Sequence, residues 1–78
     1  MRARSGRTTA AADRLTVLTE RELEVAVCVG RGLSNSAIAS ELYLSIPTVK
    51  SHVSRLLTKL DSTNRVQVAM VVHDAGLV

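Results

Sequence analysis

The sequence predicts an all-α fold, a bundle of four helices, and three observations favour this class. Hydrophobic residues make up 46% of the 78 residues, yet the chain has one aromatic residue, Tyr43, and no Phe or Trp. A core of Val, Leu, Ile, Ala and Met suits packed helices. Apolar positions recur with helical spacing, and a capping residue precedes each apolar run. A chain of this length has room for one domain and one modest core.

The first 14 residues, MRARSGRTTAAADR, differ from the rest of the chain. They show no apolar periodicity and carry four arginines against one aspartate. We therefore expect residues 1–14 to form a disordered basic arm or linker, and the folded domain to span residues 15–78. The arm carries the whole net charge of +3. In the neutral remainder, the charged residues between Leu42 and Leu60 are all basic, a distribution typical of phosphate binding: Lys50, Arg55 and Lys59.

The first predicted helix runs from about Glu20 to Arg31. Thr19 and Glu22 have the T-x-x-E spacing of a capping box, in which each side chain bonds the backbone N–H of the other residue. Gly30 and Gly32 are expected to supply the positive φ at which a helix ends. Both ends of this helix are therefore marked in the sequence.

The second predicted helix is short, because Ser34 is a favourable N-cap and the apolar pattern stops at Leu42. Three residues, Tyr43 to Ser45, separate it from the third predicted helix, a connection typical of a helix-turn-helix. Pro47 suits the first turn of the third helix, which runs from about residue 46 to 60. This helix has the strongest helical periodicity in the chain, with apolar residues at Val49, Val53, Leu56, Leu57 and Leu60.

The fourth predicted helix spans about residues 64–75, between a cap at Asn64 or Thr63 and a stop at Gly76. It carries two apolar stripes. The stripe expected to face the core contains Val66, Ala69 and Val72. The stripe expected on the outside contains Val68, Val71 and Ala75. Because the outer stripe has no partner in so small a domain, we expect it to pair two copies of the chain.

One face of the third predicted helix is polar. On a helical wheel it carries small hydroxyl side chains together with Arg55, opposite the apolar arc. Lys50 flanks this face on one side, and His52 and Lys59 flank it on the other. Small side chains let a helix enter the major groove of DNA, a long cation can reach guanine, and cations at the edges can meet phosphates. The pattern indicates a DNA-binding face, with an ordinary solvated helix surface as the alternative.

Five short motifs occur in order between Leu18 and Val72, and together they are far more specific than any one of them. They are LTERELEV (18–25), Gly32 followed by LSNSAIAS (33–40), LSIPTVKSHV (44–53), the KL pair (59–60) and NRVQVA (64–69). Through these motifs the segment resembles the DNA-binding domain of the LuxR family, which is also the output domain of NarL/FixJ-type response regulators.

The resemblance implies a four-helix domain in which the third predicted helix enters the major groove and the fourth pairs two protomers. It places Lys50, Ser51 and Ser54 against bases, and Arg55 lies on the same polar face. It places a second set near backbone phosphates: Ser34, Asn35, Ser45, Thr48, His52 and Lys59. The chain departs from the usual family pattern at Ser36 and Ala37, and at Ser54 it lacks a second basic residue, so we expect weak binding by a single copy.

Under this hypothesis the partners are double-stranded DNA, at an inverted-repeat promoter site, and a second copy of the chain. RNA polymerase and an upstream receiver or sensor domain are further candidate partners. We expect a cytoplasmic protein without a membrane partner, because the sequence has no signal peptide and no membrane-spanning apolar run. An excised effector domain and a stand-alone regulator both agree with the sequence.

Three alternative functions remain open at this level. A module like region 4 of sigma factors has a similar helix-turn-helix. A helical protein-interaction adaptor would use the fourth predicted helix as its working surface. A small enzyme is disfavoured, because the sequence has no nucleophile and base pair, no metal-ligand spacing and no phosphate-binding glycine loop. We therefore expect no catalytic residue, no metal ligand and no cofactor, and we interpret Cys28 as a core residue.

Overall fold

The computed structural model describes residues 9–78, and within this range the chain forms five helices and no strand. They are α1 (Thr9–Leu15), α2 (Glu20–Gly30), α3 (Asn35–Leu42), α4 (Ile46–Lys59) and α5 (Arg65–Asp74). The four predicted helices correspond to α2, α3, α4 and α5, so the all-α prediction is confirmed. Among the described residues, no helix has the length and apolar character needed to span a membrane.

A capping box fixes the start of α2. The Thr19 side chain accepts a hydrogen bond from the Glu22 N–H at 3.2 Å, and Glu22 Oε1 accepts one from the Thr19 N–H at 2.9 Å. Beyond the other end of α2, Gly32 has the predicted positive φ of 81°. Gly30, by contrast, is a helical residue, and the fold needs it for space because it lies buried against Val72 of α5.

A residue in the left-handed backbone conformation turns the chain between α3 and α4. Tyr43 has φ 57° and ψ 46°, and the N–H groups of Tyr43 and Leu44 both donate to the carbonyl of Ala39. The next helix then begins after Ser45, whose Oγ accepts a hydrogen bond from the Thr48 N–H at 3.2 Å. The two helices pack against each other. They form the predicted helix-turn-helix.

The core is aliphatic and lies where α2 meets α4 and α5, with α3 packed on α4. Each of these four helices contributes side chains with no exposed surface: Val25, Ala26, Ile38, Val49, Leu56, Val68 and Val72. Cys28 belongs to the same cluster, as predicted. The core of residues 9–78 therefore contains no aromatic residue, as expected from the composition, and branched aliphatic side chains fill most of it.

Helix α1 corrects the prediction that residues 1–14 form a disordered arm. Its Ala11 and Leu15 are buried in the same cluster as Val71 of α5, and α1 packs along α5. The sequence did not reveal this helix because its seven residues, with several alanines and a single leucine, are too few for a visible periodicity. Residues 1–8, predicted to belong to the same arm, lie outside the described residues.

The burial of α5 differs from the prediction, although Val72 is buried as expected. Val68 and Val71, expected on the outer surface, are 0% and 6% exposed, and Ala75 is half-buried. Val66 and Met70 lie on the outer face instead, with exposures of 63% and 59%. The prediction that Val68, Val71 and Ala75 form a dimer surface is therefore wrong, because α1 packs on α5 and joins these valines in the core.

Candidate nucleic-acid interface

Helix α4 presents an exposed polar face on the side away from the core. It carries the four side chains predicted to read bases: Lys50, Ser51, Ser54 and Arg55. Within residues 9–78 neither Lys50 nor Arg55 forms an ion pair, so both charges are available to a ligand. The structure thus brings the four residues together on one face, while their role in reading bases stays a prediction.

The first turns of α3 and α4 carry hydroxyl groups, together with backbone donors that have no acceptor inside the helix. The Ser34 Oγ accepts a hydrogen bond from the Ala37 N–H at 3.1 Å, and the Ser45 Oγ donates one to Thr48 Oγ1 at 2.8 Å. The first N–H groups of any helix have no acceptor inside it, and the helix dipole makes this end positive. Both ends are therefore chemically suited to a phosphate group.

Asn35, the first residue of α3, is held by a residue that the sequence analysis did not assign to the site. Arg65 NH1 donates to Asn35 Oδ1 at 2.6 Å, and Arg65 NH2 donates to the carbonyl of Leu33 at 2.8 Å. Arg65 is also the first residue of α5. A cation is unfavourable at that end of a helix, so an arginine directly after the cap Asn64 was a usable sign of a tertiary partner.

Lys59 lies in a different environment from the one predicted for a phosphate contact. Its Nζ is 2.7 Å from Glu22 Oε1 and donates to the carbonyl of Val17 at 3.5 Å. Glu22 is 3% exposed, so the lysine provides the charge that this buried carboxylate requires. We therefore correct the assignment of Lys59 from the phosphate contacts to the folded framework.

The pKa of Glu22 lies below its ordinary value. The largest cause is the hydrogen bond from Lys59, followed by the bond from the Thr19 backbone, and these outweigh the opposing effect of burial. The carboxylate thus serves the capping box and the ion pair at once. It joins the start of α2 to the end of α4, and so fixes the last turn of α4 relative to α2.

His52 is half-buried on α4. Its Nδ1 is buried and has no hydrogen-bond partner among the described residues. A phosphate contact by this side chain would therefore have to use Nε2. The predicted phosphate role of His52 stays a prediction with that restriction.

The described residues offer little other chemistry. No group of His, Cys, Asp or Glu side chains within residues 9–78 is arranged to hold a metal ion. Burial raises the pKa of the Cys28 thiol, which disfavours the reactive thiolate. The arrangement on α3 and α4 can bind an anionic polymer through hydrogen bonds and charge.

The outer face of α5 has an apolar pair, Val66 and Met70, one helical turn apart. Gln67 and Asp74 are exposed beside them. This small apolar surface lies on the predicted pairing helix, although not on the stripe that the sequence indicated.

Residues 16–72 match the family model described as bacterial regulatory proteins, luxR family. The chain is 43% identical over 61 residues to the transcriptional regulatory protein LiaR of Bacillus subtilis. It is 40% identical over 62 residues to the response regulator protein VraR of Staphylococcus aureus and of Staphylococcus saprophyticus. The alignments cover 78% of the chain for LiaR and 80% for VraR. The chain spans only 29% of the length of LiaR and 30% of the length of VraR.

Proposed function

The chain belongs to the LuxR family of bacterial regulatory proteins and is a DNA-binding transcription regulator domain, not an enzyme, and we propose that it binds DNA by inserting α4 into the major groove. The observation that carries this proposal is the exposed face of α4, where two cations that form no ion pair within residues 9–78 border small hydroxyl side chains. A helix fits the major groove, where each base pair presents a distinct pattern of donors and acceptors.

Lys50 and Arg55 would supply the contacts that distinguish bases. Both side chains carry only donors and both are long enough to reach the O6 and N7 acceptors of guanine. Ser51 and Ser54, between them on the face, are short and let the helix backbone approach the groove. The two cations would therefore carry most of the base preference.

Phosphate contacts would come from the first turns of α3 and α4, through Ser34, Asn35, Ser45 and Thr48, and from His52 through Nε2. Backbone N–H groups at a helix start bind phosphate oxygens and fix the orientation of the protein on the duplex. These contacts carry no sequence information. Their loss should therefore weaken binding to all duplexes alike.

Two copies would pair through the outer face of α5, around Val66 and Met70. A twofold contact places the same surface of each copy against the other. Two copies of α4 then lie about one DNA turn apart, which is roughly 34 Å or 10 base pairs, so the site should be an inverted repeat. The interface is small, and pairing should be weak in the absence of DNA.

Most of the length of the relatives lies outside the aligned segment. Because VraR is a response regulator, we propose that this domain acts in the cytoplasm as the output module of such a regulator, with a receiver or sensor domain upstream. RNA polymerase is the proposed partner at the promoter. Whether the domain activates or represses transcription would depend on where its DNA site lies relative to the polymerase.

The test is a binding comparison on a duplex selected from a random-sequence pool. Lys50→Ala should lower affinity for the selected duplex by about 1–3 kcal/mol and leave urea unfolding unchanged, because Lys50 is exposed and outside the core. Arg21→Ala is the control, since it removes an equal charge from the exposed side of α2. Equal affinity of Lys50→Ala and the parent would contradict the proposal.

A further inference from the structure

We propose that Arg65 is a positioning residue for DNA binding: its guanidinium orients the Asn35 amide so that the Nδ2 donors are presented to a backbone phosphate. This inference rests on the proposed phosphate role of Asn35. Arg65, in α5, would thus affect the affinity for DNA through Asn35, in α3.

The orientation of Asn35 follows from the chemistry of its partner. A guanidinium carries only N–H donors and has no acceptor. The amide atom that faces Arg65 NH1 at 2.6 Å must therefore be Oδ1, and Nδ2 is on the side of the amide away from the arginine. Without Arg65 the two ends of the amide could exchange by rotation, and half of the orientations would turn an oxygen toward the phosphate.

The backbone around Asn35 supports the same direction of binding. Asn35 follows the N-cap Ser34, whose side chain occupies the Ala37 N–H. The N–H groups of Asn35 and Ser36 are first-turn donors without an acceptor inside the helix. An Nδ2 group at the same helix end adds side-chain donors to these backbone donors, and all of them favour an anion.

Arg65 is held firmly enough to act in this way. It is half-buried, and its second nitrogen donates to the carbonyl of Leu33 at 2.8 Å, so the planar fork is fixed at two points. A lysine in its place keeps the charge but cannot reproduce both bonds with the same geometry. Since Arg65 begins α5, it links the proposed pairing helix to the proposed phosphate contact at Asn35.

A double-mutant cycle tests the proposal, with the affinity for a short random-sequence duplex measured by fluorescence anisotropy. Arg65→Lys should lower the affinity of the parent by about twofold, because the fraction of amide orientations that present Nδ2 to the phosphate falls from all to half. The same change in the Asn35→Ala background should have almost no effect, because the amide to be oriented is absent. Arg21→Lys, at an exposed arginine of α2, is the matched control and should bind as the parent does.

A second variant separates positioning from structural support. Asn35→Asp keeps an oxygen for Arg65 and strengthens that pair, so thermal stability should be retained, while the loss of the Nδ2 donors should remove most of the affinity for the duplex. Two results would overturn the inference: an equal loss from Arg65→Lys in both backgrounds, or duplex affinity retained in Asn35→Asp. Lys50→Ala, measured in parallel on the selected duplex, reports on the proposed function separately, because Lys50 lies outside this pair.

Discussion

Val72 of α5 packs directly on the backbone of Gly30 in α2: a β-carbon placed on Gly30 would lie 2.7 Å from Val72 Cγ1. The two helices are therefore held at a separation that only a glycine allows. Gly30→Ala should lower the free energy of unfolding by about 1–3 kcal/mol, because the added methyl group displaces a fully buried valine. Urea unfolding followed by circular dichroism measures this loss.

The control for Gly30 is the same substitution in a Val72→Ala background. With the valine shortened, the 2.7 Å contact with Cγ1 is removed and only the tight contact with the β-carbon of residue 72, at 3.1 Å, remains. Alanine is also favoured over glycine inside a helix by about 1 kcal/mol, so Gly30→Ala should cost clearly less than in the parent. An undiminished loss in that background would show that the contact with Val72 does not limit the position.

The pair of Glu22 and Lys59 makes the stability depend on pH. Since the pKa of Glu22 is lowered in the folded chain, its contribution is present above the unfolded pKa of about 4.3 and is lost as the pH falls through the folded pKa. Stability should therefore decline on acidification below about pH 5, and Glu22→Gln should make that decline shallower. Urea unfolding at neutral and acidic pH measures both curves, and parallel curves would count against the pair.

Replacing Lys59 alone should lower the free energy of unfolding more than neutralising Glu22 does. Lys59→Met leaves Glu22 buried without its partner, at an expected cost of about 1–3 kcal/mol, below that of a fully buried pair because Lys59 is partly exposed. The salt dependence of DNA affinity should stay that of the parent. A shallower salt dependence with unchanged stability would restore Lys59 to the phosphate contacts.

Helix α1 should stabilise the domain through its buried side. Ala11→Glu should lower the free energy of unfolding by about 1–3 kcal/mol, because a carboxylate would enter the cluster shared with α5. Ala12→Glu makes the same chemical change at the adjacent exposed position and should have little effect. Equal losses from the two variants would mean that α1 does not pack on α5 in solution.

The two faces of α5 should respond differently to a charge. Met70→Glu, on the outer face, should preserve folding and abolish cooperative occupancy of two half-sites in a gel-shift titration. Val71→Glu, on the buried face, should unfold the chain, since it places an unpaired charge in the core. A Met70→Glu variant that still fills both half-sites together would exclude this face as the pairing surface.

The sequence predicted those features that are determined locally. The capping residues Thr19, Ser34 and Ser45 act as local chemistry requires, and the face of α4 follows from helical periodicity alone. Features that depend on distant partners were not predicted. Helix α5 carries apolar residues on both sides, so which of them are buried depends on the packing of α2 and of α1, a helix too short to recognise in the sequence.

The same distinction applies within the candidate site. Lys50 was placed correctly on the exposed face, because its position depends only on the periodicity of α4. Lys59 was misassigned and Arg65 was missed, because each is bonded to a residue at least 30 positions away, Glu22 and Asn35 respectively. A cation in a sequence can equally serve a ligand or a buried carboxylate, and only tertiary structure distinguishes the two.

The exposed face of α4 has a consequence for how such a domain can diverge. Its outward side chains lie outside the core, and substitutions at exposed positions usually change stability by less than about 0.5 kcal/mol. Under the proposed mode of binding, a duplicated gene would acquire a new operator preference by single changes at Lys50 or Arg55, with no compensating change inside the protein. Folding and target choice would then depend on separate residues of one helix, and mutation would alter the second while selection preserves the first.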